Sequence, residues 1–290
     1  MQRTLTQTEL EPKSRSWLVI LDYLFYLVLA AFLAGVVLYF YNYRDTLLID
    51  LPSLITQGAS ATIVLSLLSM VLATIFGFIG ALGRLSRFAV LRWIAFVYVE
   101  VVRGTPILVQ LFLWGFGISA VLSDVGFNPH TIAFQFMTLL QSNSFVPSEF
   151  TFNAAFYGIL GLSFNYGAYL TEVFRTGIES VQKGQTEAAL SLGLNSGQAL
   201  RRIVLPQAFR ITIPPFANYF ITLVQDSALL STIGGVVELQ QLTTSYASPL
   251  SSDPNRQLFV YILGAVIFLC ICYPLALLAR YLEARMAVAY

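Results

Sequence analysis

Long apolar stretches constrain this chain more than any other feature of its sequence. An α-helix rises about 1.5 Å per residue, so roughly 20 apolar residues cross the ~30 Å hydrocarbon core of a bilayer. Charged residues make up only 11% of the chain and hydrophobic residues 57%, which excludes an ordinary soluble domain. The sequence therefore predicts an all-α integral membrane protein with about six transmembrane helices, at 17–41, 56–85, 93–122, 152–174, 213–232 and 258–282.

The basic residues lie mostly on one side of these predicted helices. Most of the sixteen lysines and arginines fall in the polar tail 1–16, the turn 84–92, the segment 175–210 and the C-terminus. An even number of spans brings these regions to one side, and the positive-inside rule places that side in the cytoplasm. We therefore expect a multi-pass protein of the cell (inner) membrane with both termini cytoplasmic. We expect it to contact the lipid bilayer and not to bind nucleic acid.

The segment 183–207 is polar and basic, and it separates two of the apolar stretches. Residues 186–192 are typical of a short helix, and Gly193 stands where a left-handed C-terminal cap falls. Asn195 and Gln198 have the spacing of a capping box for a second helix. Pro206 is expected to end or redirect that second helix. The segment is predicted to form a compact cytoplasmic helix–turn–helix, which could be an ordinary hairpin or a docking element.

The same segment carries a longer pattern, Glu187-Ala188-Ala189 followed by Gly193, Ile203, Leu205 and Pro206. Its spacing resembles the EAA loop of permease subunits of ATP-binding-cassette (ABC) importers. Segments 98–112, 168–194 and 223–234 are similar to the branch that takes up polar amino acids such as histidine, glutamate, glutamine or arginine. The resemblance covers about residues 54–280, and the EAA pattern is its most specific part.

This resemblance implies a type I ABC importer permease bundle over 54–285, with the EAA loop (183–207) as its cytoplasmic coupling helix. An additional first transmembrane helix at 17–43 would follow the tail 1–16. The implied partners are a dimer of ATPase subunits, a second permease subunit (identical or related), an extracytoplasmic substrate-binding protein and an amino acid substrate. This chain itself would need no cofactor, because ATP and Mg²⁺ would bind to the partner ATPase.

Four residues of the EAA loop are expected to couple the chain to that ATPase. By resemblance, Ala188 and Ala189 form a small-residue surface that enters a cleft in the partner. Glu187 can pair with a basic group there, although a carboxylate near a helix N-terminus also stabilises its own helix. Gly193 is needed for the turn between the two helices.

The sequence contains no catalytic constellation, since it lacks a phosphate-binding glycine loop with a lysine, metal-ligand spacing and a nucleophile–histidine pair. We therefore expect no enzyme activity in this chain and ATP hydrolysis in a partner. Alternative functions are the same type of importer for another small solute, an ion-gradient-driven carrier or channel, and a membrane scaffold without transport.

Charged side chains inside the predicted spans mark a candidate substrate path, because each costs ~2.5–3.5 kcal/mol at the bilayer centre. Glu100 and Arg103 lie on one helix face, immediately before a predicted break at Gly104-Thr105-Pro106. Arg103 could receive a substrate carboxylate, or it could form a structural ion pair with Glu100. Asp226 could hold the substrate ammonium, or it could pair with Arg103 to close a gate.

Neutral polar residues at comparable depth extend this candidate path. Thr105 and Gln110 flank the break, Ser227 follows Asp226, and Tyr169 aligns with the AY…E pattern of the resembled family. Asn165 is either a ligand contact or a link between helices. The predicted substrate-pathway residues are Glu100, Arg103, Thr105, Gln110, Tyr169, Asp226 and Ser227.

Overall fold

The computed structural model of the protein describes residues 15–139 and 148–287. The chain divides into two units, Met1–Ile49 and Asp50–Tyr290. The first unit contains helix α1 (Arg15–Asn42) and the beginning of α2 (Arg44–Ser53). The predicted first helix, 17–43, corresponds to α1, and most of the predicted tail 1–16 lies outside the described residues.

The second unit is helical, and its described residues contain no β-strand. Short π-helical or 3₁₀ segments join several of its helices, at Leu54–Ala59, Leu113–Ile118, Leu200–Val204, Ser227–Ile233 and Ser248–Leu250. The α-helices are α3 (Ser60–Arg84), α4 (Ala89–Arg103), α5 (Ile107–Phe112), α6 (Ser119–Asp124), α7 (Pro129–Leu139), α8 (Glu149–Glu179), α9 (Lys183–Ser191), α10 (Ser196–Ala199), α11 (Leu205–Asp226), α12 (Leu239–Ala247) and α13 (Pro254–Ala287). The predicted all-α fold class is confirmed over these residues.

Three stretches of the described helices are both long and apolar enough to cross a membrane, namely Arg44–Arg84, Ile107–Asp124 and Pro254–Met286. The remaining predicted spans correspond to α1, α8 and α11, which have 28, 31 and 22 residues. These three helices reach the length that a bilayer requires.

Prolines act differently in two parts of the bundle. The predicted break at Gly104-Thr105-Pro106 is confirmed, since α4 ends at Arg103 and α5 begins at Ile107. Pro206 was expected to end or redirect the second helix of the EAA loop; it lies in the first turn of α11, directly after the segment Leu200–Val204. A helix tolerates proline there because the first-turn amides have no intrahelical acceptor. Helix α11 also continues through Pro214-Pro215, where the sequence had predicted its beginning.

Helices α3 and α8 pack closely along their length, and glycines permit this approach. A Cβ atom added to Gly77 would lie 2.5 Å from Leu170 Cβ, and one added to Gly80 would overlap the Thr171 hydroxyl. Small residues at a membrane helix interface let two backbones come together. The α3–α8 contact continues into a buried core formed by Leu65, Met70, Ala73, Leu111, Leu162, Tyr166, Leu170, Leu223, Leu230, Ile233 and Val236.

Replacing Gly77 with leucine is expected to destabilise this bundle. The new side chain must displace α8, and overpacking of a close-packed interior costs about 1–3 kcal/mol. The midpoint of thermal unfolding of the detergent-purified protein measures the effect. Gly35→Leu is the matched control, since nothing lies within 4 Å of the Cβ position there. Equal midpoints for the two variants would contradict the packing argument.

Glu238 caps α12 and is fully buried, in the connection between α11 and α13. Its two carboxylate oxygens accept hydrogen bonds from the backbone amides of Gln240 (2.7 Å) and Gln241 (2.6 Å). Burial nevertheless dominates and raises the pKa of this carboxyl to about 7. The α12 segment packs on the beginning of α3, where the Thr62 hydroxyl accepts a hydrogen bond from the Leu239 amide at 3.1 Å.

We expect the stability of the second unit to fall as pH rises from about 4.5 to about 7. A carboxyl whose pKa is raised by folding binds its proton more tightly in the folded state. Its contribution is therefore complete below the unfolded pKa and is lost as pH passes the folded one. In Glu238→Gln, the midpoint of thermal unfolding should depend less on pH than it does in the wild type. Asp253 is the exposed N-cap of α13, and Asp253→Asn serves as the control, which should keep the wild-type dependence on pH. The same pH dependence in the wild type and both variants would refute the role of Glu238.

Candidate functional site

Side-chain hydrogen bonds bridge the break between α4 and α5. Gln110 Nε2 donates to the Val102 carbonyl at 2.7 Å and to Thr105 Oγ1 at 2.8 Å. The Thr105 hydroxyl donates to the Val101 carbonyl at 3.0 Å. These bonds satisfy carbonyl groups that lose their helical donors where Pro106 interrupts the helix. Thr105 and Gln110 thus hold the shape of the break immediately beside Arg103.

Gln110 and Asn165 link this break to α8. Their side chains are buried, at 7% and 3% exposure, and Asn165 Nδ2 donates to Gln110 Oε1 at 3.2 Å. Both groups therefore have protein partners in this conformation. This geometry favours the interpretation of Asn165 as a link between helices. It gives Gln110 a positioning role.

A row of three tyrosines joins Arg103 to Asp226. The Arg103 guanidinium carbon lies 5.3 Å from the centre of the Tyr169 ring, within the range of a cation–π contact. The Tyr169 and Tyr219 ring centres are 5.5 Å apart, and those of Tyr219 and Tyr166 are 6.5 Å apart. The Tyr166 hydroxyl then donates to Asp226 Oδ2 at 2.6 Å. We call these five residues the tyrosine row; it brings the predicted residues Arg103, Tyr169 and Asp226 together.

Neither of the ion pairs considered from the sequence forms in this conformation. Across the described residues, no ion pair joins Glu100 to Arg103 or Arg103 to Asp226. Glu100 and Arg103 are both exposed at the end of α4, whereas Asp226 is half-buried. The cation and the carboxylate at the two ends of the tyrosine row are thus held apart by aromatic side chains.

The predicted residue Ser227 lies differently from the others. It is fully buried, and its hydroxyl donates to the Val224 carbonyl at 2.8 Å, where α11 changes into a 3₁₀ turn. Tyr219 was absent from the predicted pathway although it belongs to the tyrosine row. One signal could have found it, because Tyr219 lies two helical turns before Asp226 and hence on the same face of α11.

The EAA loop forms the predicted pair of short helices, α9 and α10. Gly193 has a left-handed backbone (φ 84°), and the Leu194 amide returns to the Ala189 carbonyl at 3.2 Å. The predicted capping box is also present. Asn195 Oδ1 accepts from the Gln198 amide at 2.9 Å, and Gln198 Oε1 accepts from the Asn195 amide at 3.0 Å.

The expected small-residue surface of the EAA loop needs a correction. Glu187 and Ala188 are exposed on α9, but Ala189 is buried, with 4% exposure. Consecutive residues of a helix point about 100° apart, so neighbouring alanines face different directions. Ala188 therefore belongs to the outer surface of the loop, and Ala189 packs inside it.

One set of contacts packs the EAA loop against the bundle, and a second joins the helices beside it. Val204 of the loop packs with Val181 and Ala208 in a small apolar cluster. Glu172 of α8 pairs with Arg175 at 2.7 Å and with Arg84 of α3 at 3.4 Å. The ion pairs join the ends of α3 and α8 where the chain leaves the bundle for the loop.

Residues 73–288 match the protein family described as "Binding-protein-dependent transport system inner membrane component". The chain belongs to this family. It is 34% identical over 247 residues to the probable amino-acid ABC transporter permease protein YckA of Bacillus subtilis (strain 168), covering 85% of this chain and 95% of the relative. Identity to the L-cystine transport system permease protein TcyB of the same organism is 34%, with coverages of 80% and 86%.

Members from other bacteria and solved structures agree with this assignment. The glutamine transport system permease protein GlnP of Escherichia coli (strain K12) is 29% identical, with coverages of 81% and 94%. A structure described as "Crystal structure of an amino acid ABC transporter with histidines" superposes with a TM-score of 0.64 at 30% identity, covering 83% of this chain and 97% of that one. The inward-facing MetNI methionine ABC transporter is similar in fold, with a TM-score of 0.56 at 17% identity and coverages of 80% and 98%.

As an inner membrane component of a binding-protein-dependent transport system, the chain is a transport protein and not an enzyme. Such a permease works with an ATPase and a binding protein. The predicted ABC importer permease fold is confirmed by the family match and by the solved structures. Within that fold, the tyrosine row lies on helices α4, α8 and α11, and the EAA loop connects α8 to α11.

Proposed function

We propose that this chain is the permease subunit of an ABC importer that moves polar or charged amino acids into the cytoplasm. The tyrosine row carries this proposal, because it places a guanidinium and a carboxylate at opposite ends of one aromatic surface. An amino acid zwitterion needs both charges, whereas most other small solutes need one or neither. The amino-acid, cystine and glutamine permeases among the relatives support the same substrate class.

Each end of the row has a distinct task in this proposal. Arg103 would receive the substrate carboxylate through its planar fork of donors, which matches a carboxylate bidentately. The two charged groups of an amino acid are attached to one carbon, so the two ends of the row would approach each other in the substrate-bound conformation. There Asp226 would hold the ammonium group through its second oxygen, while the Tyr166 hydroxyl keeps the first in place. The Tyr169 and Tyr219 faces would cover the apolar part of the substrate, and Glu100 would bias selection towards cationic side chains.

Thr105, Gln110 and Ser227 would position Arg103 and Asp226 without touching the substrate. Gln110 and Thr105 are bonded to the break before α5, so they would fix the direction in which Arg103 leaves α4. Ser227 would fix the turn after Asp226 in the same way. Preorganised contacts of this kind reduce the entropy lost when substrate binds.

Transport would be driven by partners. A dimer of ATPase subunits would bind ATP and Mg²⁺ and receive the EAA loop, with Glu187 and Ala188 at the contact. A second permease, identical or related, would complete the path, and an extracytoplasmic binding protein would deliver the substrate. Both termini and the EAA loop would lie in the cytoplasm, as the distribution of basic residues indicates.

Uptake by the purified complex reconstituted in proteoliposomes tests this proposal. With ATP inside and binding protein outside, unlabelled polar amino acids should compete with a labelled polar amino acid. The corresponding amines, which lack the carboxylate, should not compete. Competition by the amines at equal strength would contradict the role of Arg103. Uptake that needs an ion gradient and no ATP would overturn the proposal as a whole.

A further inference from the structure

An open apolar groove lies on the surface of the second unit, where α3, α4 and α8 meet. Its volume is about 440 Å³, and its principal lining residues are Phe76, Ile79, Leu82, Leu91, Ile94 and Tyr98. Tyr98, which also lines the groove, links α4 to α8, since its hydroxyl donates to the Phe164 carbonyl at 2.7 Å. The groove follows α3 from Gly83 back to Phe76, a distance of about 10 Å at 1.5 Å per residue.

Two arginines are neighbours of Ser86, one of the residues that line the groove. Arg92 Nη1 donates to the carbonyl oxygen of Ser86, a lining residue, at 3.5 Å, and Arg87 directly follows Ser86 in the chain. Both arginines are exposed, and neither forms an ion pair with any acidic group of the described residues. Arg84, in the same turn, is different because its charge is balanced by Glu172. The groove therefore has two positive charges near Ser86 that no carboxylate of residues 15–139 and 148–287 pairs with.

The position of Trp93 indicates where the part of the groove near Ser86 lies in the bilayer. Trp93 is 66% exposed and follows Arg92 in the first turns of α4. Exposed tryptophans of membrane proteins concentrate at the level of the lipid headgroups, and arginines near helix ends extend towards the same level. The arginines thus lie at headgroup depth, and the apolar groove runs from there into the hydrocarbon region.

We infer that this groove binds one anionic phospholipid, with the phosphate on Arg87 and Arg92 and an acyl chain along α3. Basic pockets between transmembrane helices bind acidic headgroups, because the attraction adds to the burial of the chain. A zwitterionic lipid carries its own ammonium, which the two arginines would repel. None of the groove residues belongs to the tyrosine row, so the site is separate from the proposed substrate path.

A second copy of this chain is a poorer occupant of the same groove. Two identical subunits related by a two-fold axis present the same patch to each other. Such a contact would bring Arg87 and Arg92 of one copy towards the same residues of the other. Like charges at close range are unfavourable, whereas a phosphate between them is not.

Native mass spectrometry of the purified complex tests the site. The complex is exchanged into detergent with equal amounts of dioleoyl phosphatidylglycerol or dioleoyl phosphatidylcholine, and the retained lipid is counted. We expect phosphatidylglycerol to be retained at least about tenfold more strongly. The double variant Arg87→Gln/Arg92→Gln should lose this preference. Ile94→Trp, which fills the groove at an exposed position, should lower retention while leaving both arginines in place.

Arg201 and Arg202 are two consecutive exposed arginines of the EAA loop. The control variant Arg201→Gln/Arg202→Gln should retain phosphatidylglycerol like the wild type. If this control lost the preference for phosphatidylglycerol to the same extent, the preference would depend on overall surface charge, and the proposed site would be wrong. Equal retention of both lipids by the wild type would also contradict the site. Efficient cross-linking of Leu91→Cys between two permease copies in phosphatidylglycerol vesicles would assign the groove to a protein contact instead.

Discussion

Glu187→Lys is expected to remove most ATP-driven uptake while the permease still folds and inserts. Glu187 is exposed on α9, and its side chain forms no ion pair within the described residues. The substitution therefore removes no ion pair of the described residues. If Glu187 meets a basic group of the ATPase, reversing its charge turns an attraction into a repulsion. Disrupting an interfacial charge pair costs about 2–5 kcal/mol, which corresponds to a loss of binding of at least about thirtyfold.

Three measurements on the same preparation separate coupling from folding: uptake, ATP hydrolysis and the amount of ATPase that co-purifies. The charge-reversed permease should purify in normal yield, retain less ATPase and transport little. Gln185→Lys is the control, because it adds a positive charge at an exposed position on the same helix. Uptake at the wild-type rate in Glu187→Lys would leave the EAA loop without its proposed docking role.

Local sequence rules were sufficient for the turn and the capping box of the EAA loop. Gly193 predicts a left-handed cap because other residues are strained there, and the Asn195 and Gln198 spacing predicts a capping box; both are present. These signals depend on neighbours within a few residues, which the sequence contains in full. Pro206 is ambiguous by the same reasoning. A proline is compatible with the end of one helix or the first turn of the next, and only the following chain decides between them.

The candidate site was predicted only in part, because its geometry depends on distant segments. The high cost of charge in a membrane singles out Arg103 and Asp226 from sequence alone. It does not reveal that a tyrosine row separates them, since Tyr169 and Tyr219 come from different helices. The role of Gln110 was equally hidden. Its partners are the backbone of a broken helix and Asn165, and neither contact has a periodic signature.

Arg103→Ala is expected to abolish measurable uptake and to leave the complex assembled. Arg103 is exposed and makes no ion pair in the described residues, so its removal costs only the contact with the Tyr169 ring. Such contacts contribute about 0.5–1 kcal/mol at exposed positions, too little to unfold the bundle. The loss of a charged partner for the substrate carboxylate is much larger, about 2–5 kcal/mol. Binding should therefore fall at least about thirtyfold.

The pattern of uptake among variants shows whether Arg103 contacts the substrate or only maintains the structure. Arg103→Lys keeps the charge but loses the bidentate fork, so it should retain part of the uptake. Asp226→Asn can still accept the Tyr166 hydrogen bond, and its loss of uptake would therefore reflect the missing charge at the ammonium end. Any residual uptake by Arg103→Ala should no longer distinguish an amino acid from its amine. Failure of Arg103→Ala to assemble, with normal assembly of Arg103→Lys, would instead make Arg103 a structural residue of the break.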